Sequence, residues 1–416
     1  MYGHATAPAP TPLPPMYPGG MRIGTEEEAA VIEVLRSKRL FRYYGPQAGP
    51  SKVDEFEAAF GVRMGSPHCV AMASGTAALL SGLAALGVGP GDEVIVPAYT
   101  WISSASAVVA AGAVPVVAEV DASLTLDVDD IARKITPHTK AIMPVHMRGA
   151  PCRMDRIMEI ARRHGLSVIE DVAQALGGSF GGQPLGSIGD VGSFSFQFNK
   201  IITAGEGGMA ITRDDRLHKR LLLYHDVAAA QRNQIPREDE LPGLTLRMSE
   251  IHGAILQVQL RRLDGLLADM RSRQRAIKGA LEGVAERAEI TFRTINDPAG
   301  DTGLAVIFFT REASRARRIA DALNACRLGA TVLFDPAVVD YHVYTHWQAI
   351  VERRSWSTHG GPWRHHPRSV DYSPGACSAS LALLSRAVHL DVSPDLTREQ
   401  LDHMTDTLLD VLRTTS

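Results

Sequence analysis

Cysteine is scarce in this chain. Only four occur in 416 residues (Cys69, Cys152, Cys326 and Cys377), none in a Cys-x-x-Cys pair, which argues against a disulfide scaffold or zinc knuckle and fits a reducing cytoplasm. An excess of either charge is also missing. The net charge is -3 and the pI about 6.6, so nothing electrostatic recommends nucleic acid or an anionic membrane as a partner. No apolar run approaches the roughly 18 residues that span a bilayer. A basic stretch leading into an apolar one, the mark of a secretory signal, is absent from the beginning, and a cytoplasmic protein is expected. Lysine is rare too, with seven in all.

What remains is an ordinary globular composition, 45% hydrophobic and 21% charged, in a chain long enough to need more than one core. Residues 1–20 carry six prolines and end in Gly19-Gly20, which predicts an extended or mobile arm, either a tail or a strap for a partner subunit. From there to about residue 212 short apolar strands alternate with amphipathic helices. Strands are predicted at 69–73, 93–97, 114–120, 141–145 and 167–171, then at 193–198 and 209–212. Helices are predicted at 76–86, 100–112, near 127–134 and at 155–164. This alternation implies a mostly parallel sheet covered on both faces. A polar loop (231–242) and a long helix (about 249–286) follow, then a smaller α+β part with a strand at 304–309 and helices at 313–326 and 399–412. We expect a large α/β domain over 21–262 and a smaller C-terminal domain over 263–416.

Six of the seven lysines have polar or charged neighbours. Lys200 instead follows the apolar run Ser193–Phe198 and precedes Ile201–Gly208, which ends Gly-Glu-Gly-Gly. Desolvation at such a place lowers an amine's pKa and makes it nucleophilic, although alone it reads more readily as a strand-end lysine over a hairpin. Asp171 closes the strand before Val172-Ala173-Gln174, at the strand edge where α/β sheets bind ligands. It could hold a pyridinium nitrogen protonated or simply cap a helix. Ser74-Gly75-Thr76 stands between a strand and a helix start, a place for a phosphate or for plain capping. Trp101, in Pro97-Ala98-Tyr99-Thr100-Trp101, could stack on a planar ring or pack in the core. The four fall at the C-terminal edges of predicted strands, so they converge on one rim.

In this order the residues resemble the DegT/DnrJ/StrS sugar aminotransferases. The likeness runs from about Leu40 to the last helix and is most specific over Glu170–Ala175, Gly189–Phe196, Lys200 and Gly205–Gly208. It implies an aspartate-aminotransferase-like α/β fold (fold type I) with pyridoxal 5'-phosphate as cofactor. It assigns Lys200 as the Schiff-base lysine, Asp171 as partner of the pyridine nitrogen, Gln174 to the ring-hydroxyl side and Trp101 to the ring face. Gly75, Thr76 and Ser195 are assigned to the phosphate. A homodimer with shared active sites is also implied. Where the family usually has Gly-x-Asn-x-Arg-Met, with the Asn reaching the neighbour's phosphate, this chain has Gly243–Met248 with Thr245 at that place.

Phe41–Gly45, Tyr224-His225-Asp226 and Tyr341–Tyr344 are similar to the branch containing glutamine:scyllo-inosose aminotransferases and aminohydroxybenzoate synthases, both of antibiotic pathways. Arg42, Tyr43, His225 and His342 are accordingly candidates for contacting substrate. The histidine-rich patches, His365-His366 included, have no spacing that demands a metal. The expected reaction carries an amino group from glutamine or glutamate to a keto-sugar or keto-cyclitol. Its rivals are a dehydratase or lyase on the same scaffold, whose family members carry His at the place of Lys200, and a silent binding homologue.

Overall fold

Strand alternation decides the architecture. The structure is a computed structural model that describes residues 13–43 and 49–415. Strands β1 (His68–Met72), β2 (Glu93–Pro97), β3 (Val114–Ala118), β4 (Thr139–Ile142) and β5 (Ser167–Asp171) are followed by a small hairpin, β6 (Ser179–Phe180) with β7 (Gln183–Pro184). Then come β8 (Val191–Ser195) and β9 (Gly208–Thr212). Seven of these form one sheet in the order β1-β9-β8-β5-β4-β2-β3. β9 runs antiparallel to both neighbours, and the pairs β8/β5, β5/β4, β4/β2 and β2/β3 are parallel. The C-terminal ends of β1, β2, β4, β5 and β8 therefore share one rim.

Side chains alternate between the two faces of this sheet, as a period of two requires. Val70, Met72 and Ala210 join the core on one face, while Ala71, Met209 and Ile211 join the core on the other. The helices are α1 (Pro18–Met21), α2 (Thr25–Ser37), α3 (Lys52–Met64), α4 (Gly75–Ala85), α5 (Ser103–Ala110), α6 (Val128–Lys134), α7 (Met154–His164), α8 (Asp215–His225), α9 (Ala229–Arg232) and α10 (Glu250–Ala285). α4 lies against the first face, so close that a Cβ on Gly82 would meet Ile169 Cδ1 at 2.6 Å. Leu83 is fully buried there, a contribution of about 1.5–3 kcal/mol. On the second face Phe56 and Phe60 of α3 meet Phe194 and Phe196 edge-on, with centroids 5.0–5.9 Å apart.

The C-terminal part builds a separate antiparallel sheet from β10 (Thr291–Phe292), β11 (Ala305–Phe309), β12 (Thr331–Val332) and β13 (Ala387–Asp391), in the order β10-β11-β13-β12. Helix α11 (Ala313–Ala325) and the last helix, Arg398–Thr414, flank it. Residue 262 falls inside α10, which continues without a break, while the seven-stranded sheet lies wholly before it and the four-stranded sheet wholly after it.

Three expectations change. Residues 1–12 lie outside the described residues, but from Leu13 onward the proline-rich segment is packed rather than mobile. Leu13 and Met16 contact two different cores, Pro18 and Gly19 are buried, and the Gly19 N–H donates to the Lys200 carbonyl at 3.3 Å. The strand predicted over 193–198 stops at Ser195. Beyond it the chain folds back over the rim, with the Lys200 N–H bonded to the Gln197 carbonyl. The helix predicted from residue 100 begins only at Ser103, and the segment before it is tied to a distant loop, with the Thr100 and Ile102 N–H groups donating to the carbonyls of His342 and Tyr341.

Candidate active site

Along the rim the strand ends enclose a cavity of about 540 Å³. Lys200 and Asp171 both face it, with Gly75, Thr76, Trp101, Gln174 and Ser195 around them. Seven expected cofactor residues are thus brought together by four strand ends.

Asp171 ends β5 at the cavity floor. No helix starts there, so capping does not account for it. One carboxylate oxygen accepts from the Ala173 N–H at 3.0 Å and the other from the Ser104 hydroxyl at 2.9 Å. Burial pushes this carboxyl above its usual range, against those hydrogen bonds and the nearby Lys200. Desolvation lowers the Lys200 amine, opposed by Asp171 and assisted by the cation of Arg148. Directly beneath, Glu170 is fully buried and accepts from the N–H groups of Gly186, Ile188 and Gly189 at 2.7–2.8 Å. It also meets His146 Nε2 at 3.0 Å. The Cys152 N–H donates to His146 Nδ1, which leaves Nε2 to carry the proton toward Glu170. This network fixes the end of β5.

The opposite wall is the start of α4. Ser74 caps it, its hydroxyl accepting from the Ala77 N–H at 3.1 Å. Among the described residues no acceptor meets the N–H groups of Gly75 and Thr76. Gly75 is required by close approach, since a Cβ there would stand 3.1 Å from the Ser195 hydroxyl oxygen. The Thr76 hydroxyl donates to that of Ser103 at 3.1 Å. Two free amides and three hydroxyls at the N-terminus of an 11-residue helix suit a phosphate, and the buried carboxylate across from them suits a protonated ring nitrogen. The residues present therefore fit pyridoxal phosphate.

Trp101 is 44% exposed over the mouth, its ring 5.0 Å from that of His342. His342 also lines the cavity, as expected of a substrate contact. Its Nδ1 is 2.7 Å from Asp340 and its Nε2 is 3.5 Å from the Gln174 amide. Burial lowers its pKa, against Asp340.

The other proposed substrate contacts are elsewhere. Arg42 is buried in bonds to both oxygens of Glu57, at 2.8 and 2.6 Å, and to Asp54 at 2.6 Å. It is tied to α3 and does not line this chain's cavity. Tyr43 lies against the guanidinium groups of Arg42 and Arg232. His225 is fully buried, held to the Leu222 carbonyl at 2.8 Å, and burial pushes it down to about 4. Thr245 is exposed and does not line this chain's cavity. Sequence reasoning missed Ser104 and Arg148. Arg148 follows β4 on the very rim that drew attention to the others, and its position was the available signal.

A lysine and a carboxylate on the rim of a mostly parallel sheet, facing a helix N-terminus, define the aspartate-aminotransferase architecture of fold type I. The chain belongs to the DegT/DnrJ/EryC1/StrS aminotransferase family, whose profile matches residues 21–359 and whose members depend on pyridoxal phosphate. It is 48% identical over 217 residues to the GDP-perosamine synthase of Caulobacter vibrioides, covering 51% of this chain and 57% of that one. To the L-glutamine:2-deoxy-scyllo-inosose aminotransferase of Streptoalloteichus tenebrarius it is 42% identical over 245 residues, 56% and 58% of the two chains. The matches thus span somewhat over half the length of these relatives. The crystal structure of 3-amino-5-hydroxybenzoic acid synthase superposes with a TM-score of 0.80 at 28% identity, covering 97% of this chain and all of that one. Among the described residues no helix is long and apolar enough to cross a membrane.

Proposed function

We propose that the protein is a pyridoxal-phosphate-dependent aminotransferase that moves an amino group from glutamine or glutamate to the ketone of a sugar or cyclitol. The observation that carries this is the convergence of the desolvated Lys200 amine and the buried Asp171 carboxylate on one cavity that also receives the start of α4. Gly75, Thr76 and Ser195 would hold the cofactor phosphate, Trp101 a ring face and Gln174 the ring hydroxyl. When bound, pyridoxal phosphate supplies a carbonyl that captures amines and a ring that delocalises the electron pair left by a departing proton. Lys200 Nζ would take that proton from the donor's α-carbon and return it to the carbon on the far side of the amine nitrogen. Its lowered pKa keeps more of it neutral and able to accept. Asp171 holds a proton on the ring nitrogen from a site closed to water.

The acceptor class is supported by the relatives named above, and with it a place in the biosynthesis of aminoglycoside-type secondary metabolites. A homodimer with shared sites is supported by exposed apolar side chains at and near the mouth, Trp101, Phe198, Tyr341 and Leu244. Thr245 beside Leu244 then faces the partner's phosphate. Four free cysteines support a cytoplasmic setting. The division into a cofactor-binding part (21–262) and a smaller C-terminal part (263–416) belongs to the same reading.

The test is the donor half-reaction. Full-length protein loaded with pyridoxal phosphate should show a visible band that borohydride bleaches and that L-glutamine or L-glutamate converts to the pyridoxamine phosphate spectrum. A Lys200→Ala variant that still turned over would sink the assignment.

A further inference from the structure

Among the described residues, Arg148 is the one cation lining the cavity that the assigned roles leave unused. It lines the cavity beside Gln174 and His342. Its Nε donates to the Tyr99 hydroxyl at 3.4 Å, and among the described residues its two terminal nitrogens have neither a hydrogen-bond nor an ion-pair partner. The carboxylates whose charge reaches it are Asp340 and Asp391. Each is already engaged by a histidine, Asp340 by His342 at 2.7 Å and Asp391 by His389 at 3.3 Å. A guanidinium drawn from water without its own carboxylate is costly unless an anion arrives to pair with it.

The backbone is built to present it. Arg148 has φ 51° and ψ 43°, a left-handed conformation that a long side chain adopts only when its surroundings impose it. They do so from three sides. The Arg148 N–H donates to the Gln174 side-chain oxygen at 3.2 Å. The wholly buried Arg293 donates to the carbonyls of Met147 and Arg148, both at 3.1 Å. The Thr302 N–H donates to the Gly149 carbonyl at 3.1 Å. Gly149, with φ 81°, leaves no room for a Cβ, which would fall 2.1 Å from the Thr302 hydroxyl oxygen. A second buried arginine is thus spent on holding the turn that aims the first.

Strand order fixes the side on which the cation acts. Ser195 and Gly75 follow β8 and β1, to one side of β5, whereas Arg148 follows β4, on the other. The phosphate cradle and Arg148 therefore flank Asp171 from opposite sides, and Arg148 is left for a substrate anion. We propose that the terminal nitrogens of Arg148 bind the α-carboxylate of the amino donor. In an amino acid the amine and carboxylate share one carbon, so an amine at Lys200 brings its carboxylate to the wall beside Gln174. A phosphate on an acceptor is many bonds from the reacting ketone and extends toward the mouth instead. The planar guanidinium matches a carboxylate with two parallel hydrogen bonds.

This proposal rests on the aminotransferase reading, and the experiment separates the two. Full-length protein loaded with pyridoxal phosphate is titrated with L-glutamine and with its α-carboxamide analogue, following conversion of the visible band. Arg148→Met should raise half-saturation for L-glutamine roughly 10- to 100-fold and leave that for the carboxamide unchanged, and Arg148→Lys should recover part of the loss. Equal weakening of both amines, or of neither, overturns the proposal. A calorimetric arm needs no turnover. Maleate, a simple dicarboxylate, should bind the loaded wild-type protein at least about tenfold more tightly than Arg148→Met. If pyrophosphate binding falls in the variant and maleate binding does not, the subsite serves an acceptor phosphate and the proposal is wrong. If no amino acid converts the wild-type band, the aminotransferase reading fails, and the maleate result alone decides the carboxylate subsite.

Discussion

The Cβ that Gly75 lacks would stand 2.7 Å from the Cβ of Ser195. A helix start and a strand end thus touch backbone to side chain across the place assigned to a phosphate. Gly75→Ala must push them apart. We expect a loss of about 1–3 kcal/mol in stability and a roughly tenfold weaker pyridoxal phosphate affinity. Urea unfolding of the cofactor-free chain and a cofactor titration check the two effects separately.

Asp171→Asn should stabilise the cofactor-free protein while abolishing the half-reaction. Burial raises this carboxyl, so the folded state binds its proton more readily than the unfolded state does. The resulting cost is absent below the ordinary carboxylate pKa of about 3.9 and grows as pH rises toward the folded value. At pH 7 the amide should gain about 0.5–2 kcal/mol, and near pH 3 the difference should vanish. Unfolding curves at both pH values decide it, and a variant less stable at pH 7 would show the carboxylate to be net stabilising.

Trp101→Ala tests whether the ring over the mouth belongs to the site or to the core. At 44% exposure its removal should change stability by less than about 1 kcal/mol. Pyridoxal phosphate binding should weaken roughly tenfold. A large drop in melting temperature with unchanged cofactor affinity would be the opposite result.

His225 sets an acid limit. Its folded pKa of about 4 lies below the ordinary 6.5, so the unfolded chain binds the extra proton between these values. Stability should therefore rise as pH goes from about 4 to 6.5, and the penalty should be fully present only below that window. Its Nε2 has no partner in the buried site, in keeping with a ring that stays neutral. The window carries on the order of 3 kcal/mol. His225→Phe should flatten this part of the profile, as read by urea midpoints at pH 4.5 and 7.

The parallel rim was legible because period-two apolar runs and glycine stops are local signals, and four strand ends placed Lys200, Asp171, Gly75, Thr76 and Trp101 together. What escaped depended on partners distant in sequence. Arg42 looked like a substrate contact because nothing nearby announced that Glu57 and Asp54 would close around it. Arg148 went unnoticed because its left-handed turn is imposed by Gln174, Arg293 and Thr302. The helix after Trp101 starts late where the chain before it is held against residues 341 and 342. Local patterns specify elements, and long-range competition for hydrogen bonds decides their ends.

The bond from the Gly19 N–H to the Lys200 carbonyl joins two peptide units with eight strands of sequence between them. Closing so distant a contact is slow relative to local structure. During synthesis Gly19 emerges well before the residues that seat it. The lysine loop gains its last support only after most of the sheet exists.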